Sequence, residues 1–255
     1  MLPLTVRDLV IGSGRTKLIV PLSAPSLPEL LPLARAAAES GADAVEWRAD
    51  GFAAVSDPLA LENALCALRE ALGALPLLFT LRTAREGGAF SLGEAEYGRI
   101  CAQAIRSRRI DLIDLEPSAF SAEEALSALI GEAHESGVTV VASRHDFQGT
   151  PPRETLLAVL YGLRDTGADL VKLAVMPRTE ADVFALMEAS SLARASLDCP
   201  VIAISMGALG MPSRVACRLS GSAMTFAALG SHASAPGQIE LAALRRMIAL
   251  LEAEE

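Results

Sequence analysis

Short runs of apolar and β-branched residues alternate along the chain with longer stretches in which apolar residues recur at helical spacing. The predicted strands are Leu18–Val20, Ala44–Arg48, Leu77–Leu81, Leu112–Leu115, Thr139–Ser143, Leu170–Ala174, Val201–Ser205 and Ala223–Phe226. The predicted helices are Leu27–Glu39, Pro58–Leu72, Gly93–Ser107, Ala122–Ser136, Arg153–Thr166, Glu180–Ser196, Pro212–Leu219 and Gln238–Glu254. A strand is thus followed by a helix throughout, with a repeat of roughly 30 residues, which is the length of a βα unit.

Residues at the helix ends support this division. Asp57-Pro58 predicts an N-cap followed by a first-turn proline, and Ser121 with Glu124 predicts a capping box. Three glycines, each after a polar residue, predict helix stops before the next strand: Gly41, Gly137 and Gly167.

Eight such units predict an α/β fold in which one parallel sheet closes into a single (β/α)8 TIM barrel, with residues 1–255 as one domain. An open doubly wound sheet is the alternative. Its usual mark is a glycine-rich turn after the first strand, whereas Gly12-Ser13-Gly14 precedes that strand and is interpreted as a simple turn.

Composition and charge limit the classes of binding partner and site that can be expected. The chain is 51% hydrophobic, its mean hydropathy is +0.37 and its formal net charge is −9, so a broad nucleic-acid-binding face is not expected. Charged residues interrupt the apolar runs before any reaches the roughly 20 residues needed to span a membrane. The four cysteines are far apart, and no signal peptide is recognised, so neither a disulfide nor a zinc site is expected and a reducing cytoplasm is predicted.

Ionisable residues cluster where the predicted strands end, which is where TIM barrels place their chemistry. Alternation along the second strand puts Glu46 and Arg48 on one face and Trp47 on the other. The other strand ends carry Arg82, Arg85, Glu86, Asp114, Glu116, Arg144, His145, Asp146, Lys172 and Arg214. So many charged groups at one rim indicate an active site rather than packing.

Lys172 and His145 are the sharpest candidates. Lys172 lies between Val171 and Leu173 inside a predicted strand, where burial favours a neutral amine that can attack a carbonyl. The structural alternative is a lysine paired with Glu116 or Glu86. His145 follows the preceding strand and is suited to general acid–base catalysis, although a hydrogen-bonded loop histidine remains the alternative.

Seven segments, in order and at compatible spacing from the first strand to the last helix, resemble the type I 3-dehydroquinate dehydratases of the shikimate pathway. They are Glu46-Trp47-Arg48-Ala49-Asp50, Leu81–Gly88, Ser143-Arg144-His145-Asp146-Phe147, Ala168–Lys172, Ser205-Met206-Gly207, Ser213-Arg214 and Ala233–Gln238. The chain departs from the family pattern at Pro21-Leu22-Ser23, where members often carry a small polar residue, and at Ile204, where some carry methionine.

The resemblance implies catalytic roles for three residues. Lys172 would form a Schiff base with 3-dehydroquinate, His145 would be the general acid and base, and Glu86 would orient that histidine. The implied substrate-binding residues are Glu46, Trp47, Arg48, Arg82, Met206, Arg214, Phe226, Ser234, Ala235 and Gln238. No metal or organic cofactor is implied, and the expected assembly is a cytoplasmic homodimer whose partner is a small-molecule substrate.

Two further functions stay open at this point. A Schiff-base aldolase on the same barrel would also explain Lys172, and a non-catalytic descendant could retain the fold as a binding module. The run of Gly, Ser, Ala and Pro from Gly230 to Gln238 additionally predicts a flap that closes over bound substrate.

Overall fold

Eight parallel strands form a closed barrel in the computed structural model, which describes residues 2–230 and 235–253. The barrel strands are β3 (Lys17–Leu22), β4 (Ala44–Arg48), β5 (Leu77–Thr80), β6 (Leu112–Leu115), β7 (Thr139–Asp146), β8 (Leu170–Val175), β9 (Val201–Ser205) and β10 (Met224–Ala228). They pair in chain order, β10 pairs with β3, and a parallel bridge between Val201 and Ser222 closes the circuit. The predicted TIM barrel is confirmed.

The helices lie between successive strands, as the pattern predicts. They are α1 (Leu27–Glu39), α2 (Pro58–Leu72), α3 (Glu94–Arg106), α4 (Glu123–Glu135), α5 (Arg153–Asp165), α6 (Glu180–Ser196), α7 (Met211–Val215), α8 (Cys217–Ser220) and α9 (Leu241–Leu251). The predicted helix Pro212–Leu219 is in fact divided into α7 and α8, because the backbone leaves the helical conformation at Ala216 (φ −92°, ψ 40°). In the part of the chain that the structure describes, none of these helices has both the length and the hydropathy to cross a membrane.

The helix ends test the capping predictions. The Asp57 side chain accepts the backbone N–H groups of Leu59 and Ala60, so this N-cap is confirmed. The capping box at Ser121 is wrong, since the Ser121 hydroxyl donates to Glu94 instead, at 2.7 Å. The glycine stops are confirmed by left-handed φ angles of 76°, 72° and 91° at Gly41, Gly137 and Gly167.

The pattern missed three short strands. An antiparallel hairpin, β1 (Leu4–Val6) and β2 (Leu9–Ile11), precedes the barrel, and β11 (Ile239–Glu240) adds to β10. Each has two or three residues, which is too short for alternation to register. The hairpin also turns at Arg7 with φ 52°, a conformation for which glycine or asparagine is the usual signal.

The barrel interior begins with an apolar layer. Inward side chains near the amino ends of the strands form one cluster with Val6 and Ile11 of the hairpin. Its strand members include Ile19, Ala44, Leu78, Leu112, Val141, Leu170, Ile202 and Met224. The outward side chains of the same strands form a separate, larger core with the helices. Polar residues therefore enter the interior only further along the strands.

Candidate active site

A polar layer lies directly above the apolar one. Because side chains alternate along a strand, the position two residues further on points inward again. These positions on five adjacent strands are occupied by buried Glu46, Thr80, Asp114, Ser143 and Lys172. The strand pattern thus places two carboxylates, two hydroxyls and an amine on one interior surface.

A cavity opens above this layer, at the carboxyl ends of the strands. The residues that the sequence predicts for the site and that line the cavity are Glu46, Arg48, Arg82, Glu86, His145, Lys172, Met206, Arg214, Phe226, Ala235 and Gln238. The structure therefore brings together side chains from every quarter of the barrel. Their chemical roles stay predictions at this point.

Lys172 is 4% exposed and is surrounded by groups that suit a cation. Its Nζ donates to Asp114 Oδ2 at 3.0 Å and lies 3.5 Å from Glu46 Oε1. The same atom lies 4.5 Å from the centre of the Phe226 ring. The pairing with Glu116 or Glu86 that the sequence left open is not found; Asp114 and Glu46 compensate this charge.

His145 and Glu86 form a hydrogen-bonded pair. Glu86 Oε2 lies 3.1 Å from His145 Nδ1 and accepts the backbone N–H of the same residue at 2.9 Å. Burial lowers the pKa of His145 well below its usual value, and the cations of Arg82 and Lys172 lower it further. An ionised Glu86 can only accept, so Nδ1 then carries the hydrogen and Nε2 keeps a free lone pair.

The environment of Glu86 also changes its acidity. Burial raises the pKa of this carboxyl to about 7, and the neighbouring Glu116 carboxylate acts in the same direction. The Ser118 hydroxyl and the guanidinium groups of Arg82 and Arg144 oppose that change. Glu86 therefore gains or loses a proton close to neutral pH, and its ionised form is the one that leaves the Nε2 lone pair of His145 free.

Arg82 is the centre of a buried ionic network. Its Nη1 donates to Glu116 at 2.7 Å and to the Ser143 hydroxyl at 2.9 Å, and its Nη2 donates to Asp114 at 2.9 Å. Burial alone would lower the pKa of Arg82, but Asp114 and Glu116 raise it above the ordinary value. Although Arg82 lines the cavity, these bonds already occupy much of its hydrogen-bonding capacity.

Arg48 is fixed by a bidentate ion pair. Its Nε and Nη2 donate to Asp50 at 2.8 and 2.9 Å, and Asp50 in turn accepts the backbone N–H groups of Arg82 and Ala89. The guanidinium is thereby held at the rim of the cavity, with 17% of the side chain exposed. Such a group can donate further hydrogen bonds to a hydroxylated ligand.

Arg214 is a buried cation without an acidic partner among the described residues. It is 1% exposed, and its Nη2 donates to the Pro236 carbonyl at 3.0 Å, whereas Nε and Nη1 have no partner in that part of the chain. Burial lowers the pKa of this guanidinium to about 10. Since an unpaired buried charge is costly, the arrangement indicates a binding site for an anion.

Apolar side chains form the remaining cavity wall. Met206 and Phe226 lie there as predicted, together with Ala174 and Ile204. Ile204 is the position at which the family pattern has methionine in some members, and it contacts the same cavity. These residues exclude water beside the polar groups, which strengthens electrostatic interactions in the site.

One predicted binding residue that the structure describes is not brought to the cavity. The prediction for Trp47 is wrong: its ring points outward from β4, is fully buried, and packs edge-on against Phe52 and Phe79. The physical reason is alternation, since Glu46 and Arg48 on either side face inward. Ser234 lies outside the described residues, as do residues 231–233 of the predicted flap.

Sequence reasoning did not assign Asp114, Phe147 or Gly87. Asp114 touches Lys172, and its one signal was its position at a strand end among other ionisable residues. Phe147 lines the cavity and packs on Gly87, where a Cβ atom would lie 2.3 Å from the Phe147 ring. Gly87 also has a φ of 81°, so both its backbone conformation and its neighbour require glycine.

No cluster of three or more His, Cys, Asp and Glu side chains suited to a metal ion occurs within residues 2–230 and 235–253. Apart from Arg214, the ionisable groups that line the cavity form ion pairs or hydrogen bonds with charged or titratable side chains of the described residues. The cavity presents an amine, an imidazole and guanidinium groups as possible reactive and binding groups.

Comparison with known proteins supplies the deciding observation. The model of the type I 3-dehydroquinase family matches residues 18–255. The chain belongs to the type I 3-dehydroquinase family. It is therefore an enzyme of the hydro-lyase class, and this membership decides against the aldolase and the non-catalytic alternatives.

Individual relatives agree with that family along the whole chain. A 3-dehydroquinate dehydratase of Klebsiella pneumoniae is 43% identical over 97% of this chain and 98% of its own length. Among solved structures, the type I enzyme of Clostridium difficile superposes with a TM-score of 0.94 at 34% identity, covering 99% of both chains. The Geobacillus kaustophilus enzyme gives the same TM-score at 37% identity, covering 98% of this chain and 96% of its own.

Proposed function

We propose that the protein removes water from 3-dehydroquinate to give 3-dehydroshikimate through a Schiff base on Lys172, with His145 as the general acid and base. The observation that carries this proposal is the buried Lys172 amine in the same cavity as a histidine whose Nε2 is available. The family to which the chain belongs supports dehydration as the reaction and the shikimate pathway as its setting.

In the first step the Lys172 nitrogen uses its lone pair to form a bond to the ring ketone carbon, after the ammonium has lost a proton. The carbonyl π electrons move to the oxygen, which takes up the proton that the ammonium lost and a second proton from the nitrogen. The oxygen leaves as water, and a C=N bond forms with a positive charge on nitrogen. Burial of Lys172 supports this step because bulk water is excluded from the nucleophile.

In the second step His145 Nε2 takes a proton from the carbon next to the iminium. The electrons of that C–H bond flow towards the nitrogen and give a neutral enamine. The enamine electrons then expel the hydroxyl group on the next carbon. The protonated imidazole gives its proton to that hydroxyl group, which leaves as water. Acid–base catalysis of this kind contributes about 10²- to 10⁴-fold in rate. Hydrolysis of the product imine restores the amine.

Substrate orientation is assigned to the remaining polar groups. Arg214 would hold the substrate carboxylate, since its unpaired Nε and Nη1 present donors to a planar anion. Glu46, Arg48 and Arg82 would bind the ring hydroxyls. Gln238 and Ala235 line the same cavity. Ser234 is retained as a predicted binding residue.

A related structure supports covalent chemistry in this family. The Clostridium difficile enzyme contains covalently modified comenic acid. The single-domain boundaries, the cytoplasmic location and the homodimer stay predictions, and we retain them as part of this proposal.

Borohydride reduction tests the covalent step. Added during turnover, it should reduce the imine, leave the ligand attached to Lys172 and abolish activity in the wild-type enzyme. Lys172→Met should remain folded, inactive and unlabelled, because methionine retains much of the side-chain stem without an amine. His145→Ala should lose nearly all turnover and still form some trapped adduct, since imine formation depends on the lysine.

Peptide mass spectrometry provides the measurement. The matched control is Lys17→Met, because Lys17 is also buried but donates to the Ser13 and Arg15 carbonyls away from the cavity. That variant should be labelled at Lys172 like the wild type. Label on another lysine, or no label in an active wild-type enzyme, would refute the Schiff-base route.

A further inference from the structure

Asp114 receives hydrogen bonds from side chains of three different segments. Lys172 Nζ donates to Oδ2 at 3.0 Å, Arg82 Nη2 donates to the same oxygen at 2.9 Å, and the Ser143 hydroxyl donates to Oδ1 at 2.6 Å. The residue itself is 1% exposed. Both Asp114 carboxylate oxygens are therefore fixed by hydrogen bonds, and this carboxylate in turn orients the Lys172 amine.

The two carboxylates near Lys172 differ in what else they can contact. Glu46 lines the cavity, its Oε1 is 3.5 Å from Nζ, and it accepts a hydrogen bond from Thr80. Asp114 is not among the described residues that line the cavity, although it is closer to Nζ. Asp114 therefore lies behind the lysine, where it touches the amine and leaves the substrate side free.

We propose that Asp114 is a positioning residue that holds the Lys172 amine towards the ring ketone and remains beside the nitrogen as the counter-ion of the iminium. This inference rests on the proposed function, because it assigns a partner to the nucleophile of that reaction. Its effect is exerted through Lys172, not through contact with the substrate.

The charge balance of imine formation explains why a permanent anion belongs here. An ammonium group and a ketone become an iminium and one molecule of water, so one positive charge is present on nitrogen before and after the step. The iminium retains a single N–H, whereas the ammonium has three. A fixed acceptor 3.0 Å from Nζ can keep that last hydrogen bond and orient the C=N plane.

Asp114 is suited to the role of counter-ion and not to that of proton acceptor. Burial by itself raises the pKa of this carboxyl, but the cations of Arg82 and Lys172 outweigh burial and hold the pKa well below its usual range. Arg82 acts more strongly than Lys172 and keeps its charge during the reaction, so the carboxylate retains a cationic partner while the lysine changes from ammonium to amine to iminium.

Asp114→Asn tests the proposal, since asparagine keeps the shape of the side chain and removes its charge. We expect the rate of borohydride-trapped adduct formation and kcat to fall about 100-fold, because a nucleophile displaced by about 1 Å loses that much. KM should change less than about threefold, as Asp114 does not meet the substrate. Thermal unfolding of each variant separates this effect from loss of the fold.

Glu116→Gln is the matched control. Glu116 is equally buried and bonds the same Arg82 at 2.7 Å, but its other partner is Thr83 in place of Lys172. Its rate of adduct formation should stay within about threefold of the wild type. An equal fall in both variants would mean that loss of any buried carboxylate suffices, and would overturn the proposal.

A milder variant covers the case in which Asp114→Asn does not fold. Ser143→Ala leaves the carboxylate charged and removes one of the groups that fix it, so a smaller fall of about fivefold in adduct formation is expected, equivalent to about 1 kcal/mol. If Asp114→Asn folds, adduct formation at the wild-type rate in that variant would overturn the proposal. If it does not fold, the same result in Ser143→Ala would overturn it. Absence of label in the wild-type enzyme would instead refute the Schiff base itself.

Discussion

At the amino end of the barrel, inward Leu78, Leu112 and Ile202 belong to one apolar cluster with Ile11 of the hairpin. Two residues further along the same three strands, the inward side chains are Thr80, Asp114 and Ile204. Glu46 and Lys172 occupy the same level on two other strands, so the sheet has an apolar interior at one end and a mostly polar interior at the other, with Ile204 as an apolar exception. The same alternation of side chains along the strands forms the apolar end and positions the polar groups at the other end.

The two ends contribute differently to stability. Each fully buried aliphatic side chain at the amino end contributes about 1.5–3 kcal/mol through burial. At the carboxyl end, Lys172, Arg82 and Asp114 lose hydration that their ion pairs only partly offset, and Arg214 has no acidic partner within the described chain. The comparison indicates that the apolar end stabilises a fold in which the polar end is optimised for a ligand.

Leu78→Ala should have the largest effect and should act at the apolar end alone. Leu78 is 1% exposed, so its truncation should lower the free energy of unfolding by about 2–5 kcal/mol through lost burial and a residual cavity. KM and kcat of the protein that remains folded should be close to wild type. Chemical denaturation and steady-state kinetics measure both, and a large rise in KM would break the separation of the two ends.

Arg214→Lys should produce the opposite result. Lysine cannot present a bidentate pair of donors to a carboxylate, so KM should rise about 10- to 100-fold, equivalent to about 1.4–2.8 kcal/mol. Unfolding free energy should hardly fall, because Arg214 forms no ion pair in the described part of the chain. Wild-type kinetics would remove Arg214 from the binding site, whereas marked destabilisation would assign it to the fold.

The smallest effect concerns the protonation of His145. Its lowered pKa means that the folded state binds fewer protons than the unfolded state between that pKa and about 6.5, so this group makes stability fall as pH decreases below about 6.5. NMR of labelled histidine should show a neutral imidazole at pH 6.5, with His145→Ala identifying the signal. A midpoint at or above 6.5 would contradict the environment described here.

The sequence by itself determined the repeating βα order and predicted most of the residues that line the cavity. Hydrophobic periodicity located the barrel strands and their helices, because each pattern is local and repeats over several residues. It also isolated Lys172 as a charge inside an apolar strand and His145 at a strand end. The resemblance to a known family then supplied roles for Glu86 and Arg214, which local patterns alone do not reveal.

The tertiary structure decided what meets across the barrel. Asp114 and Lys172 are separated by 58 residues, and the pairing of β6 and of β8 with β7 brings them to 3.0 Å. Packing against Phe52 and Phe79 makes Trp47 a core residue, although its motif had placed it with the binding residues. The β1–β2 hairpin was hidden because its strands are too short to show a period. Local sequence patterns thus determine the strands, the helices and the candidate residues, whereas long-range packing determines which side chains contact one another.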